Sequence, residues 1–175
     1  ELIMANIKKV TIVGMGAVGS FFAAKLSSIP DQDIELSVIA KDETLNTLRQ
    51  TGLTWVDDAG TEHKIPLRAT DNADELGHQD LVILSVKGYS TESVAPTISK
   101  LLGDHTMVLV AMNGVPWWFF HGLNSKFKDA ELKSIDPNGI VTQYIPHKHV
   151  IGCVVHLSAQ SPKKARLEKM KGNQL

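Results

Sequence analysis

Cysteine is almost missing from this chain: Cys153 is the one thiol among 175 residues. It has no partner for an internal disulfide and sits in an apolar run, which fits a buried, inert thiol in a reducing compartment better than a nucleophile. Cytoplasm is the expected location. An excess of one charge is missing too, with a formal net charge of -1. No global basic field points to nucleic acid, and no acidic tail points to a disordered partner segment. At 43% hydrophobic and 21% charged residues the composition is that of a soluble globular domain and suggests no membrane class. Glu1 to Asn6 is too short and wrongly ordered for a secretory signal, and Met4 is the expected natural start. There is no internal repeat, no low-complexity tract and no nucleophile with a partner base. His147-Lys148-His149 offers two histidines without acidic or thiol company, too little for a metal site. A small neutral or anionic ligand, recognised locally, is what remains.

What is present is concentrated in Lys8 to Phe22, KKVTIVGMGAVGSFF, where an apolar strand runs into Gly14-Met15-Gly16-Ala17-Val18-Gly19 and then into a helix. The glycines match G-x-G-x-x-G in the strand-turn-helix setting that this pattern requires. Gly14 allows the tight turn, Gly16 lets a pyrophosphate approach the backbone, and Gly19 lets the helix pack against the sheet, so a side chain at any of them would collide. The unpaired amides and the positive end of the helix dipole make a diphosphate the natural occupant.

The helix expected over Ala17 to Ser28 carries Val18, Phe21, Phe22, Lys25 and Leu26 on one face, and Pro30 and Asp31 close it. Ile34 to Ala40 is a second strand, completing a strand-helix-strand crossover. Its last residues meet the adenosine ribose, where an acid favours a free 2′-hydroxyl and a base a 2′-phosphate. Lys41 stands there as a phosphate contact. Asp42 would present a carboxylate after a shift of one residue, but reads better as the cap of a helix over Glu43 to Gln50. Leu53 to Val56 and Glu62 to Leu67 form a hairpin around Asp57 to Gly60, and Asp71 to Gly77 a short helix. Asp80 to Val86 is a buried strand delivering Lys87 and Gly88 to the edge where open α/β sheets hold ligands. A lysine after a strand is as often a solvated charge. Ser90 or Thr91 caps a helix reaching Leu102, with Pro96 awkward inside it. Met107 to Ala111 ends in Asn113-Gly114, which is also a common turn pair. Trp117 to Phe120 sets four aromatics in a row, a core or interface helix first and a pocket wall second. Val150 to Val155 is a further strand, followed by His156 to Ala159.

With GMGAVGS, IAK, SVKGYS, MNGVPWW and GCVVHLSAQ in this order, the chain resembles the ketopantoate reductase (2-dehydropantoate 2-reductase) family over nearly its whole length. That resemblance implies an α/β fold, a Rossmann-type doubly wound and mostly parallel sheet, with residues 1–175 as the dinucleotide-binding domain. It implies NADPH-dependent reduction of a 2-oxo acid, ketopantoate to pantoate, on the route to pantothenate. By position, Gly14, Met15, Gly16, Ala17, Val18 and Gly19 would hold the diphosphate and Lys41 the 2′-phosphate. Lys87 would hold the cofactor with reach to substrate, Asn113 would touch nicotinamide ribose and substrate, and Ser158 would add a cofactor contact. Lys41 replaces the family's common arginine, so a bidentate grip becomes a point-charge contact. The general-acid lysine of the family belongs to a helical C-terminal domain that this sequence does not include, so the chain alone is expected to be inactive. Partners are expected to be a small 2-oxo acid, with a homo-oligomer open. The alternatives are a reductase of another small ketone or 2-oxo acid, and a dinucleotide-sensing module without chemistry.

Overall fold

The computed structural model describes residues 7–30, 33–86, 90–111, 117, 136–153, 156–160 and 163–174. Apolar runs bounded by turn residues become the strands β1 (Lys9–Val13), β2 (Glu35–Ile39), β5 (Arg68–Thr70), β6 (Gln79–Leu84), β7 (Leu102–Ala111) and β8 (Val150–Cys153). These pair, all in parallel, in the order β5-β2-β1-β6-β7-β8. The order reverses at β1, so chain leaves the sheet on opposite sides of the β1/β6 junction and opens a crevice at their carboxyl ends. The expected doubly wound α/β sheet is therefore present.

Both faces of this sheet are buried, which is why its strands read as continuous apolar runs rather than alternating ones. On one face Val10, Ile12, Val38 and Ile83 pack with helices α1 (Ala17–Ser27) and α2 (Asp42–Thr51). On the other, Val13, Ile39, Val82 and Leu84 pack with α3 (Thr91–Ser99) and α4 (Ile140–Tyr144). Trp117, first of the aromatic row, is buried in this second cluster, as a core residue would be. Residues 118–120 lie outside the described residues.

The hairpin forms as β3 (Leu53–Val56) and β4 (Glu62–Ile65), but it does not stand alone. It joins β9 (His156–Gln160) and β10 (Arg166–Gln174) in a second sheet of order β4-β3-β10-β9, with β10 parallel to β3. An isolated two-stranded hairpin is marginal in water, so this pairing is what makes it permanent. Arg166 ties the sheet across β3, bonding Glu62 of β4 at 2.7 Å and Glu168 of its own strand.

Several sequence-based expectations are corrected here. Instead of one stripe on α1, every residue from Gly19 to Ala24 is buried, because β9 and β10 also pack on this helix and leave it between two sheets. The segment expected as one strand over 62–67 breaks at Pro66 and restarts as β5. The helix expected over 71–77 is a single 3₁₀ turn, Ala73–Glu75, and α3 ends at Ser99 because β7 already begins at Leu102. Ser158 lies in strand β9.

Candidate cofactor site

The loop after β1 is held between its neighbours: the Gly14 N–H donates to the Ile39 carbonyl at 3.4 Å, and the Ser85 N–H donates to the Val13 carbonyl at 2.9 Å. Gly14 has φ +98, and a Cβ there would lie 2.7 Å from the Ser85 carbonyl oxygen. Only glycine fits. A Cβ on Gly19 would stand 1.9 Å from the Gly14 carbonyl oxygen, so this glycine lets α1 press against the loop. Gly16 is different. It is exposed, its φ is -72, and a Cβ placed on it would meet no atom of the described residues within 4 Å. Nothing inside the described chain requires a glycine there, so the collision expected of all three glycines occurs within the protein at only two.

Gly16 is also the N-cap of α1. It makes no side-chain cap, no acid occupies the first turn, and the first intrahelical bond runs from the Ser20 N–H to the Gly16 carbonyl at 2.9 Å. The amides of Ala17, Val18 and Gly19 thus lie before the first helical bond, at the positive end of an eleven-residue helix that faces open space. Met15 is buried under the loop and holds it to the core, while Ala17 and Val18 are half-buried. Chemically this is an anion cradle made of backbone.

At the end of β2, Ala40 is buried and Lys41 follows in extended conformation, φ -130 and ψ 162, with its side chain exposed. The expected cap at Asp42 is corrected: Lys41 occupies the N-cap position, no side chain caps α2, and Asp42 opens the helix with φ +49. The chain enters α2 through a backbone turn in the left-handed region, which aspartate tolerates better than most residues. Lys87 and Asn113 lie outside the described residues. The strands that lead to them, β6 beside β1 and β7 beside β6, end at this same carboxyl edge. Ser158 stands opposite Lys171 in the second sheet, whose strands β9 and β10 contact α1.

A cavity of about 420 Å³ opens at the far end of α1, lined by Ser27, Ser28, Trp55, His63 and Lys64 among others. It faces the carbonyl end of the helix, which is unfavourable for a diphosphate. Among the described residues no group of three or more His, Cys, Asp or Glu is placed to hold a metal.

A βαβ unit, a glycine loop at the topological switch and open space over Gly16 are the frame that comparison with known proteins then fills. The family model described as ketopantoate reductase PanE/ApbA matches residues 10–119. The chain belongs to the ketopantoate reductase family. A 2-dehydropantoate 2-reductase of Mesorhizobium japonicum is 42% identical over 148 residues, covering 85% of this chain and 44% of the relative. A crystal structure assigned to ketopantoate reductase, from Ralstonia solanacearum MolK2, is also 42% identical and superposes with a TM-score of 0.85, covering 92% of this chain and 49% of the other. The 2-dehydropantoate 2-reductase of Porphyromonas gingivalis W83, at 24% identity and a TM-score of 0.68, shares the fold, covering 92% of this chain and 50% of its own. The chain thus spans about half the length of these ketopantoate reductases.

Sequence reasoning missed one part of the edge. β5, only three residues long, brings Thr70 and Asp71 beside the end of β2, where the Ala40 N–H donates to the Thr70 carbonyl at 3.1 Å. Its pattern is too short to be read as a strand, although Asn72, which caps the following turn, is a visible turn signal.

Proposed function

We propose that this chain binds NADPH and forms the cofactor-binding half of a reductase that converts 2-dehydropantoate to pantoate. The observation that carries the reading is the open space over Gly16, where a glycine that no neighbouring atom demands meets an uncapped helix N-terminus at the sheet's switch point. Family membership and 42% identity to the Mesorhizobium enzyme support the same substrate. Bound NADPH would supply a hydride for the carbonyl carbon of the 2-oxo acid. The amides of Ala17 to Gly19 hold the diphosphate, and Lys41 makes a charged contact to the 2′-phosphate. By family correspondence Lys87 and Asn113 serve the nicotinamide end and the substrate, and Ser158 adds a cofactor contact. Proton donation to the carbonyl oxygen falls to a lysine of the family's C-terminal helical domain.

The test is a fluorescence titration of the chain with NADPH and with NADH, on wild type and Lys41→Ala. A charge-assisted hydrogen bond is worth about 1.5–3 kcal/mol, so Lys41→Ala should weaken NADPH roughly ten- to hundredfold and spare NADH. Equal losses for both cofactors would assign Lys41 a structural role. No NADPH binding by the wild type would overturn the reading of the glycine loop.

A further inference from the structure

At the carboxyl end of β2, Lys41 shares the surface with three exposed carboxylates. Two of them, Asp42 and Glu43, open α2, and the third, Asp71, directly follows the neighbouring strand β5. Thr70, the last residue of β5, is in register with Ile39, and the Ala40 N–H donates to its carbonyl at 3.1 Å. Asp71 therefore follows within about one strand spacing, ~5 Å, of Ala40, one residue from Lys41.

The turn holding Asp71 is pinned. The Thr70 hydroxyl accepts the Asn72 N–H at 3.0 Å and donates to Glu75 Oε2 at 2.9 Å, and Asn72 Oδ1 accepts the Asp74 N–H at 3.1 Å. Nearby acids are engaged: Asp74 pairs with Lys100 at 2.7 Å, and Glu35 with Arg68 at 2.7 Å. Among the described residues Asp71 has no such partner, so no ion pair there neutralises its charge.

We infer that Asp71 is a specificity-determining residue at the adenosine end of this site: it opposes Lys41 and narrows the preference for NADPH over NADH about three- to tenfold. The inference rests on the cofactor reading above. A 2′-phosphate adds close to two negative charges, whereas a 2′-hydroxyl adds none and can donate to a carboxylate. One like charge about 7 Å from such a group, in a water-like dielectric, alters affinity by about three- to tenfold at low ionic strength. Asp42 and Glu43 act in the same sense, but only Asp71 lies outside α2, so its substitution leaves that helix unchanged.

The experiment measures dissociation constants for NADPH and NADH at low and high salt on wild type, Asp71→Asn, Asp71→Lys and Asp104→Asn. The last removes the same charge from the amino-terminal end of β7. Asp71→Asn should tighten NADPH about three- to tenfold and Asp71→Lys further, with NADH changed less than about twofold and the gain fading with added salt. Asp104→Asn should change neither. Equal tightening of both cofactors, or no tightening, overturns the inference. If NADPH binds and the Asp71 variants behave as wild type, this inference alone fails; if neither cofactor binds, the cofactor reading fails and takes it along.

Discussion

Gly16 and Gly19 stand three residues apart and would tolerate a methyl group very differently. At Gly19 the added carbon falls 1.9 Å from the Gly14 carbonyl oxygen, which is backbone and cannot swing aside. Overpacking of this kind costs about 1–3 kcal/mol or more, and here loop and helix must separate to relieve it. At Gly16 the same carbon meets no atom of the described residues within 4 Å, on a backbone with φ -72 that any residue adopts. Gly19→Ala should therefore lower the melting temperature by several degrees or prevent folding. Gly16→Ala should melt within about 2 °C of wild type and yet weaken NADPH about tenfold or more, since its methyl group enters the space a pyrophosphate needs. A Gly16→Ala chain that binds NADPH as tightly as wild type would leave that glycine without a ligand to explain it.

At the scale of elements, β1 enters the sheet through a carboxylate of its neighbour. Asp80 of β6 accepts the Lys8 and Lys9 N–H groups at 2.9 and 2.8 Å. The Lys9 N–H first, and the Lys8 N–H second, hold the Asp80 carboxyl below its ordinary pKa. A carboxyl depressed in the folded state adds stability that is complete above its unfolded value, about 3.9, and is lost as pH falls through the folded value. Asp80→Asn should lower the melting temperature at pH 7 by about 2–4 °C, the shift expected for a loss near 1 kcal/mol at this chain length, with solvent screening holding it there. The gap between mutant and wild type should close below about pH 4. A gap that persists unchanged at pH 2–3 would mean that the Asp80 charge contributes nothing. α1 teaches a related lesson, because its amphipathic pattern is weak for a physical reason: it has no solvent face along Gly19 to Ala24, being covered by the parallel sheet on one side and β9 and β10 on the other.

For the whole molecule, the proposed function predicts that binding and turnover separate. The elements proposed to hold the diphosphate and the 2′-phosphate lie on β1, β2 and the helices that follow them, each built from contacts inside this chain. The relatives it matches are about twice as long. A positioned acid contributes roughly 10²–10⁴-fold to a reaction that protonates a carbonyl oxygen, and in the proposed division of labour that acid comes from the second half. The 175-residue chain assayed alone should therefore bind NADPH and consume it with 2-dehydropantoate at least about a hundredfold more slowly than a full-length relative. Efficient turnover, followed by loss of NADPH absorbance, would overturn that division.

Local chemistry was enough to read the first βαβ unit, the glycine loop, the hairpin and the membership of an α/β class. Strand length, glycine spacing and helix entry are decided by residues within a few positions of one another, and Gly14 to Gly19 and Lys41 stand where that reasoning puts them. Contacts distant in sequence were not legible. The pairing of β10 with β3 joins Arg166 to Thr54, and the position of Asp71 beside Ala40 depends on a three-residue strand with no pattern of its own. Nor could spacing tell a cap from a turn at Asp42, since that depends on how α2 leaves the sheet. The backbone hydrogen bonds of β5 and β10 form only because the sheets beside them already exist, and it is that assembly, not local preference, that brings the Asp71 carboxylate to the edge where Lys41 stands.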